Sequence, residues 1–225
     1  MPSYVMLFHF THEGLEHVKQ SPDRVDKISF GVIFVHVPKT AGQSIESVFV
    51  DREGLTWETR DLLLLRTKTA GATGPHRLAH LFADEYVALG HVTAYEFARF
   101  FKFAVVRDPY ERAVSEYRYR GAKLGVSIEA WLRRNLDPDS DIGRHTAPQS
   151  RYLFDASGTC LVDRLVHFET LQSEFSTLSR HVFGEEIRLP RLNVTLGPLH
   201  SMTAKERAAI AERYAADFVL LGYSR

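Results

Sequence analysis

Uncharged apolar runs alternate along the chain with polar, helix-spaced stretches, the pattern of a parallel sheet whose strands are buried on both faces and joined through helices. Phe30 to Val37 (FGVIFVHV) and Phe101 to Asp108 (FKFAVVRD) predict two core strands, and Leu161 to Phe168 predicts a late one. Asp61 to Arg66 (DLLLLR) and Tyr86 to Leu89 read as two shorter strands. Helical spacing follows at Ile45, Val48 and Phe49, over 76–84, around Tyr95, Phe97 and Ala98, and from Tyr110 to about Arg120. It returns at 127–136 with Trp131 and Leu132, at 170–183 and at 203–216, where Thr-Ala-Lys-Glu is a capping box. The polar stretches 51–59, 67–75 and 137–148 read as loops. The fold class is therefore α/β, with a parallel sheet flanked by helices.

Residues 1–28 predict a short strand (Tyr4 to Phe10), a Thr-His-Glu-Gly turn and an amphipathic helix from about Gly14, a βα extension too small to bury both of its faces alone. The main domain is then 29–225.

The first strand runs into Pro-Lys-Thr-Ala-Gly-Gln-Ser. Pro38 ends the ladder, Gly42 permits a tight turn, and Ser44 is placed to cap the following helix. A strand, a small-residue turn and a helix start make an anion cradle, where backbone N–H groups face the ligand and Lys39 adds a full charge. A plain strand-turn-helix with a solvated lysine is the blander alternative. The loop is not an ordinary Walker A, because Lys39 precedes Gly42 instead of following a second glycine.

Two further junctions carry chemistry. His91, in Gly-His-Val after the short run at 86–89, is expected at the carboxyl edge of the sheet, where a neutral imidazole can take a proton from a hydroxyl. Arg107 closes the second core strand, with Ser115 eight residues later on the next helix, so a guanidinium fork and a hydroxyl can converge on a phosphate. A surface network of Arg107, Asp108 and Arg112 is the alternative. His76 and His80 stand four apart, a metal-compatible spacing, but no third ligand is evident beside them and no metal is expected. Arg144 and His145, in the polar loop, are candidates to line an acceptor channel, and His76 is a candidate to touch a substrate.

Composition narrows the partners. With 225 residues, 44% of them hydrophobic, there is enough chain for one well-buried domain. Its 28 basic and 28 acidic residues balance, so neither nucleic acid nor an anionic membrane is expected as a partner and any anion site must be local. No apolar run approaches a membrane span, and the N-terminus lacks a signal-peptide plan, which points to a cytoplasmic protein. Cys160, the only cysteine, is expected to be a buried small apolar residue.

Together these motifs carry a resemblance. VHVPKTAGQSIE and RDPYERAVSEYRY are similar to the two nucleotide motifs of the carbohydrate-type sulfotransferases, the group of the heparan and uronyl 2-O-sulfotransferases and their bacterial relatives. The resemblance implies a P-loop-like sulfotransferase fold. It implies binding of 3′-phosphoadenosine 5′-phosphosulfate (PAPS): the 5′-phosphosulfate at Lys39, Thr40, Ala41, Gly42, Gln43 and Ser44, the 3′-phosphate at Arg107 and Ser115. LGHVTAYEFARF matches the family's Gly-His-Val, which makes His91 the base and Lys39 the catalytic cation; Gln43 stands where threonine is usual, and Leu89 where some members have a second histidine. The acceptor it implies is a glycan or small-molecule hydroxyl, and a homodimer is possible. HTAPQSRYLF, LVDRLVHFETL and LPRLNVT continue the likeness; Gln149 and Arg151 fall in an element that the resemblance places near the donor or the acceptor and are candidate substrate contacts, and 191–197 is expected to close over the nucleotide. Residues 1–28 resemble the opening of the small ferredoxin-like GYD domains. A small-molecule P-loop kinase and a nucleotide-binding module without transfer activity remain as alternatives; the kinase would need Mg²⁺ ligands and a lysine that the loop does not supply.

Overall fold

A computed structural model of the protein describes residues 31–134, 136–192 and 200–225. The expected elements of 1–28, and the 193–197 part of the expected nucleotide strap, lie outside the described residues.

The three strands of the sheet, β1 (Val32–Val35), β2 (Phe101–Val106) and β3 (Arg164–His167), lie in that order and pair in parallel. The register sets Phe34 beside Phe103 and Val105 beside Val166. β1 is buried throughout, and β2 in all but its first residue, as apolar runs require when both faces are covered; the one charge in them, Lys102, is buried with its ammonium on the Phe100 carbonyl and Asp163. Alternation then divides the core. Val32, Phe34, Phe103, Val105 and Val166 face helices α1 (Gly42–Arg52) and α8 (Leu171–Phe183) through Ile45, Phe49, Phe175 and Leu178. Ile33, Val35, Ala104 and Val106 face Leu78, Leu81, Phe82 and Tyr86.

The connection to β2 holds two short helices, α2 (Glu85–Ala88) and α3 (Ala94–Arg99), the latter with a complete Thr93–Glu96 capping box. After β2 comes α4 (Pro109–Glu116), which has Pro109 in its first turn and passes into a π turn at Tyr117–Gly121. Asp108 caps α4 by accepting the N–H groups of Tyr110 and Glu111. Helices α5 (Ile128–Leu132), α6 (Asp141–Thr146) and α7 (Gln149–Leu153) follow. The C-terminal pair, α9 (Ala204–Arg213) and α10 (Ala215–Leu220), packs Ile210, Tyr214 and Phe218 against Tyr110, Val114 and Trp131. The Thr203–Glu206 capping box forms as the sequence predicts.

Several expected elements differ. Asp61 to Arg66 is a 3₁₀ turn at Arg60–Leu63, with Leu64 in the left-handed region, rather than a strand. A short run of leucines fits either state, and here Leu63 and Leu65 turn into one core while Leu64 turns into the other. The run at 86–89 is helical, held by Glu85 accepting the Phe82 N–H and by buried Tyr86 donating to the carbonyl of Phe34. Over 76–84 only the 3₁₀ turn Leu78–His80 forms. The expected loop at 137–148 contains α6, which Ser140 caps through the Gly143 N–H. Cys160 is exposed rather than buried.

Candidate active site

Between β1 and α1 the chain makes a cradle from two non-glycine residues in the left-handed region, Lys39 (φ 71°) and Ala41 (φ 68°). Such strain is sustained where the surroundings fix it and is common at ligand sites. Thr40 is fully buried and donates its hydroxyl to Val37 O at 2.7 Å, which locks the turn from beneath. The helix begins at Gly42 with Ala41 in the cap position; Ser44 is not the cap, and its hydroxyl instead accepts the Leu192 N–H at 3.1 Å. No acidic residue occupies the first turn of α1, so its amide dipoles keep their positive sense. Gly42 is required by close approach, since a Cβ there would fall 1.8 Å from Nε2 of His36.

Arg107 reaches this cradle from the end of β2. Its Nη1 donates to the Lys39 carbonyl at 3.4 Å, its Nη2 lies 3.5 Å from Glu111, and the guanidinium sits 4.2 Å over the Phe168 ring. Nε of Arg107 is buried and has no hydrogen-bond partner among the described residues. Burial lowers the pKa of both Arg107 and Lys39. Lys39 is supported by Glu116 and opposed by Arg107, Arg120 and Arg112, so several cations crowd one acidic group. An anion entering here would relieve that crowding. Ser115 stands on α4, partly buried, and makes no hydrogen bond to Arg107, whose hydrogen-bond partners among the described residues are Gln149 and the Lys39 carbonyl.

A group of residues not singled out by the sequence holds the two junctions together. Arg112 is 2% exposed; its Nε donates to Pro38 O and its Nη2 to His145 O, both at 3.0 Å, which ties the cradle to α6. His145 sits with Nδ1 2.9 Å from the Glu116 carboxylate, and its ring lies 4.9 Å from that of His80, which in turn lies 4.7 Å from that of His36. Nδ1 of His36 is 2.6 Å from Glu46 on α1. Tyr119 stacks beside His145 at 6.2 Å and carries the Lys39 ammonium 4.2 Å over its ring. The signals were present in the motifs: Arg112 and Glu116 recur at helical spacing from Asp108, and His36 is the one ionisable residue inside the first apolar run.

The other candidates separate. Arg144 is 1% exposed, paired with both oxygens of Glu85 at 2.7 Å and also with Asp139, so it braces α6 against α2 and is closed to an acceptor. Gln149 is fully buried against the Arg107 backbone and is likewise no acceptor contact. Arg151 pairs with Asp84 near the surface, and His76 is exposed. His80, by contrast with His76, is buried, and it meets the further potential ligands Asp141 and His145 that its sequence neighbourhood did not reveal. His91 follows α2, not a strand, and lines a cavity of about 360 Å³ with Arg66, Lys68, Thr69, Thr73 and Leu89. Burial and then Arg66 lower its pKa, while Glu85 opposes them. Leu78 also lines this cavity, and two residues on, in the same turn, His80 packs on His36 at the foot of the cradle.

A parallel α/β sheet with a strand-turn-helix cradle at the junction of β1 and α1, and an arginine arriving from the next strand, is an arrangement in which α/β proteins hold phosphate groups. The model of the sulfotransferase family matches residues 25–224, and the chain belongs to that family. No curated protein matches the chain. Sulfuryl transfer to a hydroxyl acceptor is the general chemistry of the family. Among the described residues no helix is long and apolar enough to cross a membrane.

Proposed function

We propose that the protein transfers the sulfuryl group of PAPS to a hydroxyl of a carbohydrate acceptor. The observation that carries this reading is the meeting of Arg107 with the Lys39 loop, which gives one bisphosphorylated nucleotide two cationic sockets at the same edge of the sheet. The loop N–H groups from Thr40 to Ser44 and the Lys39 ammonium take the 5′ end. Arg107, with a buried Nε still to be satisfied, takes the 3′-phosphate, and Ser115 completes its shell. PAPS supplies an activated sulfuryl group whose leaving group is a phosphate.

The cavity beside His91 takes the acceptor, with Arg66, Lys68 and Thr69 among its polar lining. The acceptor oxygen attacks sulfur in line as the bond from sulfur to the 5′-phosphate oxygen breaks. His91 removes the hydroxyl proton, which its lowered pKa equips it to do in the neutral form at neutral pH. Lys39 and the loop amides meet the charge gathering on the leaving phosphate. No step needs a metal, because lysine and backbone dipoles suffice for that charge.

The test is transfer of radiolabelled sulfate from PAPS to a panel of glycans and small alcohols, alongside calorimetry with 3′,5′-adenosine bisphosphate. Transfer to sugars is expected. Tight nucleotide binding with no transfer to any acceptor would make the protein a binding module, and transfer of phosphate from ATP would make it a kinase.

A further inference from the structure

We propose that His80, Asp141 and His145 form a site for one divalent transition-metal ion, best matched by zinc, that braces α6 beside the phosphate cradle. The three side chains offer ligand atoms that all lie within 4.8 Å of one another. They come from two distant places, the Leu78–His80 turn and α6, so the cluster is a product of the fold and not of local sequence.

Each imidazole has one nitrogen already occupied. Nδ1 of His145 faces the Glu116 carboxylate at 2.9 Å, and Nδ1 of His80 faces the carbonyl of His36 at 3.5 Å. That leaves Nε2 of both rings for an ion, the arrangement in which a carboxylate or carbonyl orients a metal-binding histidine.

Asp141 is divided in the same way. Its Oδ2 accepts a hydrogen bond from Arg120 at 2.7 Å. Its Oδ1 is buried without a hydrogen bond among the described residues, 4.0 Å from Nε2 of His145 and 3.5 Å from Nε of Arg77. A buried carboxylate oxygen left so is costly, and a cation at the cluster would satisfy it. Tetrahedral zinc at its usual bond lengths sets its donors about 3.4 Å apart, so from separations of up to 4.8 Å the cluster would close by at most about 1.4 Å. The partly buried Asp141 side chain can rotate by that much. Two histidines and a carboxylate leave a fourth position for water.

Such an ion would fix α6 to the Leu78–His80 turn, and Arg112 already ties α6 to Pro38. Its role is to hold the cradle's surroundings, and the proposed transfer passes through no metal step.

The experiment titrates the chelator-treated full chain with zinc alone by calorimetry, repeats it with cobalt followed by visible absorption, and records thermal melts with and without zinc. Expected are a single saturable site, a tetrahedral cobalt spectrum and a raised melting temperature with zinc. His80→Gln and Asp141→Asn should abolish the site, and Glu116→Gln should weaken it by about 10–100-fold, the usual loss for an outer-shell partner. Asp141→Asn preserves size at a partly exposed position, so it carries the test should His80→Gln fail to fold. No saturable zinc binding, or zinc bound equally well by Asp141→Asn, would overturn the proposal and in the second case assign the metal to other histidines.

Discussion

The side-chain amide of Gln149 brackets the backbone of Arg107: Oε1 accepts the Arg107 N–H at 3.0 Å and Nε2 donates to the Arg107 carbonyl at 2.7 Å. Arg107 lies between the end of β2 and Asp108, the cap of α4, where the ladder of β2 has ended and its backbone needs other partners. Gln149 is positioned in turn by Asp217, whose two carboxylate oxygens accept the N–H groups of Gln149 and Ser150 at 2.8 Å each. The C-terminal helix thus reaches the end of the central strand through one glutamine. Gln149→Ala removes both bonds and leaves two buried backbone groups unpaired, a loss of about 1–3 kcal/mol for each. A lowered melting temperature and weakened binding of 3′,5′-adenosine bisphosphate are expected. A lower melting temperature with unchanged nucleotide affinity would confine Gln149 to the scaffold.

Arg107 itself tests the 3′-phosphate socket. Arg107→Ala should weaken 3′,5′-adenosine bisphosphate by about 1.5–3 kcal/mol, the scale of a charge-assisted hydrogen bond, while leaving binding of adenosine 5′-phosphate nearly unchanged. Arg107→Lys should restore little, because a point charge replaces a fork. Calorimetry on the two nucleotides separates the effects, and equal losses for both would move Arg107 away from the 3′ end.

The strands and the cradle were legible because they rest on local chemistry. Val32 to Val35 and, Lys102 apart, Phe101 to Val106 are apolar runs of mostly β-branched or aromatic residues, and Pro38 acts on its own neighbours. What escaped depends on distant partners. The histidine cluster joins His36, His80 and His145 from three separate stretches, and Arg112 reads as a solvated charge until Pro38 and His145 are seen to offer it their carbonyls. Arg144 and Gln149 were visible as polar residues in the right part of the chain, yet burial turned them to bracing. The Leu62 to Leu65 run misled because four leucines carry no period.

Arg112 is the next test. It is almost wholly buried, its guanidinium lies 5.8 Å from the Tyr214 ring, and its two carbonyl acceptors belong to the cradle and to α6. Arg112→Ala should cost roughly 1.5–3 kcal/mol for each charged hydrogen bond lost, enough to threaten the fold. Arg112→Lys keeps charge but cannot span both carbonyls, so it should fold with a lower urea midpoint and reduced nucleotide affinity. A lysine variant matching the parent in both would remove the clamp from the account.

His91 gives a signed pH prediction. Burial first, and Arg66 second, disfavour its charged form, so its pKa lies below the ordinary histidine value near 6.5. A general base works only when neutral, and the acidic limb of kcat/KM should therefore fall below that value. Arg66→Met removes a repelling charge, raises the His91 pKa and moves the limb to higher pH. His91→Ala should lower turnover by about 10²–10⁴-fold with nucleotide affinity kept. Full turnover in His91→Ala, or a limb unmoved by Arg66→Met, would place the base elsewhere.

Gly42 and His36 can be tested as a pair. The space a Cβ would need at position 42 is filled by the His36 ring, which approaches to 1.8 Å and is held on its other side by Glu46 and by the face of Phe34, 5.5 Å away. Gly42 has no positive φ, so backbone strain is not the constraint and steric overlap alone decides. Gly42→Ala must then push His36 out of its seat or unwind the first turn of α1, at the 1–3 kcal/mol typical of an overpacked core, or about that much. Because the cradle amides begin at this same turn, the variant should lose nucleotide affinity as well as stability. His36→Ala alone opens a cavity and costs stability too. In the double variant Gly42→Ala/His36→Ala the new methyl enters vacated space, so its loss in urea denaturation should fall short of the sum of the two single losses. Additive losses would mean that the glycine is needed for something other than the histidine beside it.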